Sequence, residues 1–131
     1  MARPATPHPT DGELEILRVL WDRGPSALSD VCAALRQERP VATTTVATML
    51  RVLLDKKMVR RKRTDRGYQW SATMSHDSAA QGMVGRLVDR MFDGSAGRLV
   101  THLVEAGELS KQELAEIRTV IDLQTPTTKK R

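Results

Sequence analysis

Within nine residues, Thr43 to Arg51, the chain sets out four threonines (Thr43, Thr44, Thr45 and Thr48) and a guanidinium, and by Gly67 it has added Arg60, Arg61, Lys62, Arg63 and Arg66. The chemistry open to such a set is non-covalent recognition of a polyanion. Short hydroxyls bond base edges or phosphates, their methyls pack on the thymine methyl, and the cations attract the sugar-phosphate backbone. Catalytic chemistry lacks its parts. Ser, His and acidic residues form no recognisable set, and no glycine-rich phosphate loop is present. His8, His76 and His102 are scattered without ligand spacing, and Cys32 is the only cysteine, which rules out an intrachain disulfide and a CxxC metal site. The expectation is therefore no enzyme, no metal and no cofactor, with Cys32 a buried, inert thiol.

The elements that must position these groups follow from periodicity. In "TDGELEILRVLWDRG", Thr10 and Glu13 have the spacing of a capping box and Leu14, Leu17 and Trp21 share a face, so a helix runs to Gly24-Pro25. "SALSDVCAALRQE" places Leu28, Val31 and Leu35 at i, i+3, i+7, a second helix with Ser26 as its cap. A third is expected from about Thr43 to Lys57. At about 100° per residue, Val46, Leu50 and Leu53 face the core with Met49 at the edge, whereas Thr44, Thr48, Arg51 and Asp55 look outward. Threonine is a mediocre helix former, so an outward row of it serves something other than helix stability. "MVRRKR" and "GYQWSA" then read as two strands about the turn "TDRG". Tyr68 and Trp70 point the same way and seat one face on the helices, leaving Arg60, Arg61, Lys62, Arg63 and Arg66 on the other face and the tip.

Three helices followed by a basic hairpin is the order of a winged helix-turn-helix, in which the third helix enters the major groove and the wing reaches the backbone beside it. Thr44, Ala47, Thr48 and Arg51 are the candidate base contacts, Arg51 also being within reach of a phosphate. Thr43, Thr45, Arg60, Arg61, Lys62, Arg63 and Arg66 are candidates for the backbone. Taken singly, a threonine run is also what a helix cap looks like, and a basic hairpin is also a solvated face. Their adjacency beside a two-helix hairpin favours double-stranded DNA, with a winged helix used as a protein-interaction module and a non-specific nucleoid-binding protein as the alternatives.

Charge is divided along the chain. The formal net charge is +5, but residues 1–72 carry 13 Lys/Arg against 8 Asp/Glu, whereas residues 73–131 carry 8 of each. The polyanion partner belongs to the first half and a different task to the second. With only 3% aromatic residues, the core must be aliphatic, and the fold class is mainly α. No signal peptide or spanning apolar run is present, so a cytoplasmic protein is expected.

The second half reads as three short helices. Ala80, Met83, Val84, Leu87, Val88 and Met91 stripe the first, Leu99, Val100, Leu103 and Val104 the second, and Leu114, Ile117 and Ile121 the third, which opens with a capping box at Ser110 and Glu113. Fewer than 60 residues with so much apolar surface bury too little alone, so from Met83 onward these side chains are assigned to a homodimer interface. The expected organisation is a flexible arm over residues 1–9, a winged-helix domain over 10–73 with a two- or three-stranded wing, a helical dimerisation domain over 74–124, and a flexible tail over 125–131.

The segments "ELEILRVLW", "TTTVATMLRVLLDKKMV", "RGYQW" and "LVTHLVEAGELSKQELAEIRTVID" together resemble the BlaI/MecI family of penicillinase repressors from about Asp11 to Leu123. The resemblance implies a homodimeric repressor binding inverted-repeat operators through its N-terminal winged helix and intertwining through its C-terminal helices. It further implies derepression by proteolysis after a membrane sensor metalloprotease is stimulated by a β-lactam. The scissile Asn-Phe of the best-known members corresponds to His102-Leu103, an aliphatic residue replacing the aromatic. Copper-responsive relatives carry a C-terminal cysteine cluster, which "DLQTPTTKKR" lacks.

Overall fold

The computed structural model describes residues 8–124, so the expected tail and the first seven residues of the expected arm lie outside the described residues. The element order is α1 (Asp11–Arg23), β1 (Ser26–Ala27), α2 (Leu28–Arg36), α3 (Thr43–Asp55), β2 (Val59–Thr64), β3 (Gly67–Ala72), α4 (His76–Met91), α5 (Ala96–Glu105) and α6 (Lys111–Gln124). The fold is mainly helical, with one antiparallel sheet in the order β1-β3-β2. Two compact units divide within α4, between Met83 and Val84.

In the first unit α1, α2 and α3 enclose an aliphatic core. Ile16, Leu17, Val31, Val46, Leu50 and Leu53 are fully buried, and Leu20, Cys32, Leu35, Met58, Val59 and Trp70 complete the cluster. The capping box of α1 forms in both directions: Glu13 N donates to Thr10 Oγ1 at 3.2 Å and Thr10 N to Glu13 Oε1 at 3.0 Å. Gly24, at φ 81°, closes that helix by donating its N–H to Leu20 O. A Cβ on Gly12 would meet the terminal methyl of Met49, the far end of a flexible side chain. After α3, the N–H groups of Lys57 and Met58 bond Leu54 O and Leu53 O, and Lys57 takes φ 66°. This is a Schellman stop whose apolar contact is Leu53 with Met58. Trp21 holds the chain entering α4, its Nε1 donating to Met74 O at 2.9 Å while its ring meets the edge of His76.

Two local expectations are corrected. Ser26 does not cap α2: the N-cap is Ala27, without a side-chain bond, and buried Ser26 sits in β1 with its hydroxyl donating to Gly24 O. A two-residue strand exists here because the free edge of β3 offers Ser26 and Ala27 partners in Trp70 and Gln69. The wing's cations are not all on the face away from the aromatics. The tight turn pairs Thr64 with Gly67, which sets Arg63 opposite Tyr68 and Arg61 opposite Trp70. Directly opposed residues share a face, so Arg61 and Arg63 lie on the aromatic side, and Arg60 and Lys62 on the other.

Glu13 also accepts from Lys56 Nζ at 2.7 Å, joining the start of α1 to the end of α3, and the same ammonium donates to His8 O. Burial opposes ionisation of Glu13, but the bonds from Lys56 and Thr10 outweigh it and hold the carboxyl below the usual range. A lowered folded-state pKa stabilises the fold above the unfolded value near 4.3, and that contribution is lost as pH falls through the folded value. Glu13→Gln keeps the capping acceptor but loses the ion pair, so urea unfolding should show a loss of about 1 kcal/mol at pH 7 and a smaller difference from wild type at pH 3. An equal difference at both pH values would place the effect elsewhere.

In the second unit, Ser95 caps α5 through Arg98 N, and Ser110 with Glu113 caps α6 by two reciprocal bonds of 3.0 Å. Neither α5 nor α6 contains a buried residue.

Candidate nucleic-acid interface

α3 presents two chemically distinct faces. Opposite its buried aliphatic row, Thr44, Thr45, Thr48 and Arg51 are exposed and Ala47 is half-buried. The threonines are not there as a cap: the N-cap is Ala42, with no side-chain bond to the helix. Thr43 has a separate task. Its hydroxyl accepts from Arg36 Nη2 at 2.7 Å while Arg36 Nε donates to Val41 O, so α2 fixes the turn into α3. Its O–H still has a proton to donate. Among the described residues no side chain or backbone group bonds the hydroxyls of Thr44, Thr45 or Thr48. Thr44, Ala47, Thr48 and Arg51 line a shallow depression of about 270 Å³.

The wing brings Arg60, Arg61, Lys62, Arg63 and Arg66 together on a short hairpin, all exposed. Gly67 closes the hairpin at φ 105°, and the Thr64 hydroxyl braces it by donating to Gly67 O. Among the described residues none of these cations, nor Arg51, is in an ion pair with a carboxylate. Without such pairs they are available to an external polyanion. Tyr68 has a role beyond packing one face of the hairpin. The Arg61 guanidinium lies 4.1 Å from the Tyr68 ring centroid and 5.6 Å from that of Trp70, and Arg63 lies 5.3 Å from Tyr68. The turn "TDRG" carried the signal, since a two-residue loop fixes which residues oppose each other.

Of the residues assigned to a dimer interface, Val84, Leu87, Met91, Val100, Val104, Leu114, Ile117 and Ile121 are exposed in the chain, and Met83, Leu99 and Leu103 are half-buried. Val88 is already covered within the chain, 8% exposed. His102 is exposed and its ring meets Phe92. Among the described residues no helix is long and apolar enough to cross a membrane, and no three His, Cys, Asp or Glu residues gather as metal ligands.

Three helices closed by a hairpin, with hydroxyls along the third helix and unpaired cations beside it, define a winged helix-turn-helix regulator. The chain belongs to the penicillinase repressor family, whose model matches residues 9–123. The family is one of repressors and not of enzymes. The penicillinase repressor of Staphylococcus aureus is 17% identical over 110 residues, covering 84% of this chain and 87% of that one. The methicillin resistance regulatory protein MecI of Mammaliicoccus sciuri is 19% identical over 113 residues, covering 86% and 92%. Among solved structures, monomeric BlaI of Bacillus licheniformis in complex with the blaP half-operator matches with a TM-score of 0.49 and 22% identity, over 56% of this chain and 89% of that one.

Proposed function

We propose that this protein is a homodimeric, sequence-specific DNA-binding repressor of transcription that presents two copies of α3 to successive major grooves of an inverted-repeat operator. The observation that carries this reading is the outward row of unpartnered threonine hydroxyls beside six unpaired cations, on a chain of the penicillinase repressor family. Thr44, Ala47 and Thr48 read base edges, Thr43 and Thr45 bond phosphates near the uncapped start of α3, and the wing supplies attraction without sequence information. One head reads too few base pairs to be selective, so coupling two heads through α4, α5 and α6 supplies affinity and specificity.

Derepression belongs to the same reading. The His102-Leu103 bond lies in α5, one of the helices that couple the heads, and its cleavage by a membrane sensor metalloprotease uncouples them.

Mobility shifts over a salt series test the proposal. Specific binding predicts a steep fall of affinity with salt, and protection of a palindromic site upstream of a regulated gene. Binding that is absent or independent of salt points to a protein-interaction module, and the same slope without sequence preference to a nucleoid-binding protein. Thr48→Ala is expected to reduce the preference for operator over random duplex by about 5- to 10-fold, with affinity for random duplex unchanged. An unaltered preference would place the reading face elsewhere.

A further inference from the structure

The wing's aromatic face borders a cleft of about 460 Å³ between the first turn of α2, the exposed side of α3 and the hairpin. Ser29, Arg51, Arg61, Arg66, Tyr68 and Trp70 line it, and its walls carry three guanidinium groups and no carboxylate. Arg51 lines both this cleft and the depression shared with Thr44 and Thr48. An anion in the cleft therefore lies directly beside the surface assigned to base edges.

Arg61 makes the shorter of two guanidinium contacts with the Tyr68 ring, 4.1 Å against 5.3 Å for Arg63, and is the cation of β2 that lines the cleft. A free arginine side chain samples many rotamers, and fixing it opposes binding. Here its guanidinium lies against Tyr68 and within reach of Trp70, contacts that restrict the side chain before any ligand arrives. Stacking uses only the π face of a guanidinium. Its N–H edges stay free for an oxyanion, whose geometry the planar fork matches in bidentate fashion.

We propose that this cleft is a slot for one backbone phosphodiester of duplex DNA, clasped by Arg51, Arg61 and Arg66, and that Tyr68 is the positioning residue that aims Arg61 into it. This rests on the DNA-binding reading above and deepens it in two respects. Arg51 acts on the backbone rather than on a base, and of the cations of β2 Arg61 enters the slot while Arg60, Lys62 and Arg63, which do not line it, act as diffuse charge. The phosphate held in the slot fixes the register of the strand whose base edges face Thr44 and Thr48.

The test uses the full chain and the duplex it selects from a random-sequence pool. Tyr68→Leu is expected to lower affinity for that duplex about 5-fold, whereas Tyr68→Phe, which keeps the ring, binds as wild type. Arg61→Ala lowers the slope of log affinity against log salt by about 1, and adding Tyr68→Leu to it produces no further loss. A neutral methylphosphonate, scanned along the duplex, should weaken wild type about 10-fold at one phosphate per half-site and leave Arg61→Ala unaffected there. Wild-type binding by Tyr68→Leu, additive losses in the double variant, or the same methylphosphonate profile for wild type and Arg61→Ala would each overturn the slot. If Tyr68→Leu fails to fold, judged by its thermal unfolding, the methylphosphonate comparison decides alone. Recovery of no duplex from the pool by wild type would instead overturn the DNA-binding reading itself.

Discussion

A chain carrying Val104→Asp and Ile121→Asp is expected to sediment as a monomer and to bind a palindromic operator about 10²- to 10⁴-fold more weakly, with its affinity for a single half-site unchanged. The size of the effect follows from what the second unit exposes. Val84, Leu87 and Met91 recur at i, i+3, i+7 on α4, Val100 and Val104 at i, i+4 on α5, and Leu114, Ile117 and Ile121 at i, i+3, i+7 on α6. Each helix thus has an apolar stripe, yet no residue of α5 or α6 is fully buried within the chain. Soluble monomers rarely leave so much aliphatic surface to water, and a second copy is the partner that every copy meets. Val104 is 46% exposed and Ile121 54%, so a carboxylate at either position still reaches water in the separate chain. In a dimer they would be desolvated without partners, a penalty of several kcal/mol. Sedimentation decides the matter. A stable dimer of the double variant would move the interface off these stripes.

The second large effect concerns the wing. Replacing Arg60, Lys62 and Arg63 together by alanine should lower affinity for operator and random duplex alike by about 100-fold near 0.15 M salt, and flatten the salt slope by about 2.7 if each cation neutralises one phosphate. Preference for operator over random sequence should survive, because backbone contacts carry no base information. The substitutions leave the core alone: all three side chains are exposed, and none is in an ion pair among the described residues. Fluorescence anisotropy with operator and scrambled duplexes at four or more salt concentrations measures both quantities. Loss of preference with an unchanged slope would assign these cations to bases instead. Thr48→Ala is the complementary variant, expected to change preference and leave the slope alone, so the pair separates reading from attraction.

The two halves of the interface were legible in the sequence to different degrees. Spacing placed Val46, Leu50 and Leu53 inside and Thr44, Thr48 and Arg51 outside because a helix converts sequence position into angle directly. The capping boxes at Thr10 and Ser110 were equally readable, since both partners lie three residues apart. The hairpin was readable in place but not in face. The turn "TDRG" marked where the strands reverse, and counting outward from Thr64 and Gly67 gives the facing of Arg61 and Arg63, a step the alternation of Tyr68 and Trp70 alone does not supply.

What the sequence determined by itself is the set of local elements: which stretches are helical, the capping boxes that open α1 and α6, which stripe of α3 is apolar, and that a basic hairpin follows it. All of these rest on interactions within about one helical turn or across one tight turn, whose geometry backbone sterics and hydrogen bonding impose. Only the tertiary structure decided that Ser26 joins an edge of β3, that Arg36 anchors Thr43 and that Lys56 neutralises Glu13 across two helices. It also decided that Arg51 of α3 and Arg61 and Arg66 of the wing line one cleft. Each of these joins separate elements, and their meeting depends on how the aliphatic core packs the helices and the sheet. That packing minimises exposed apolar surface over the whole unit at once, and no window of neighbouring residues contains it.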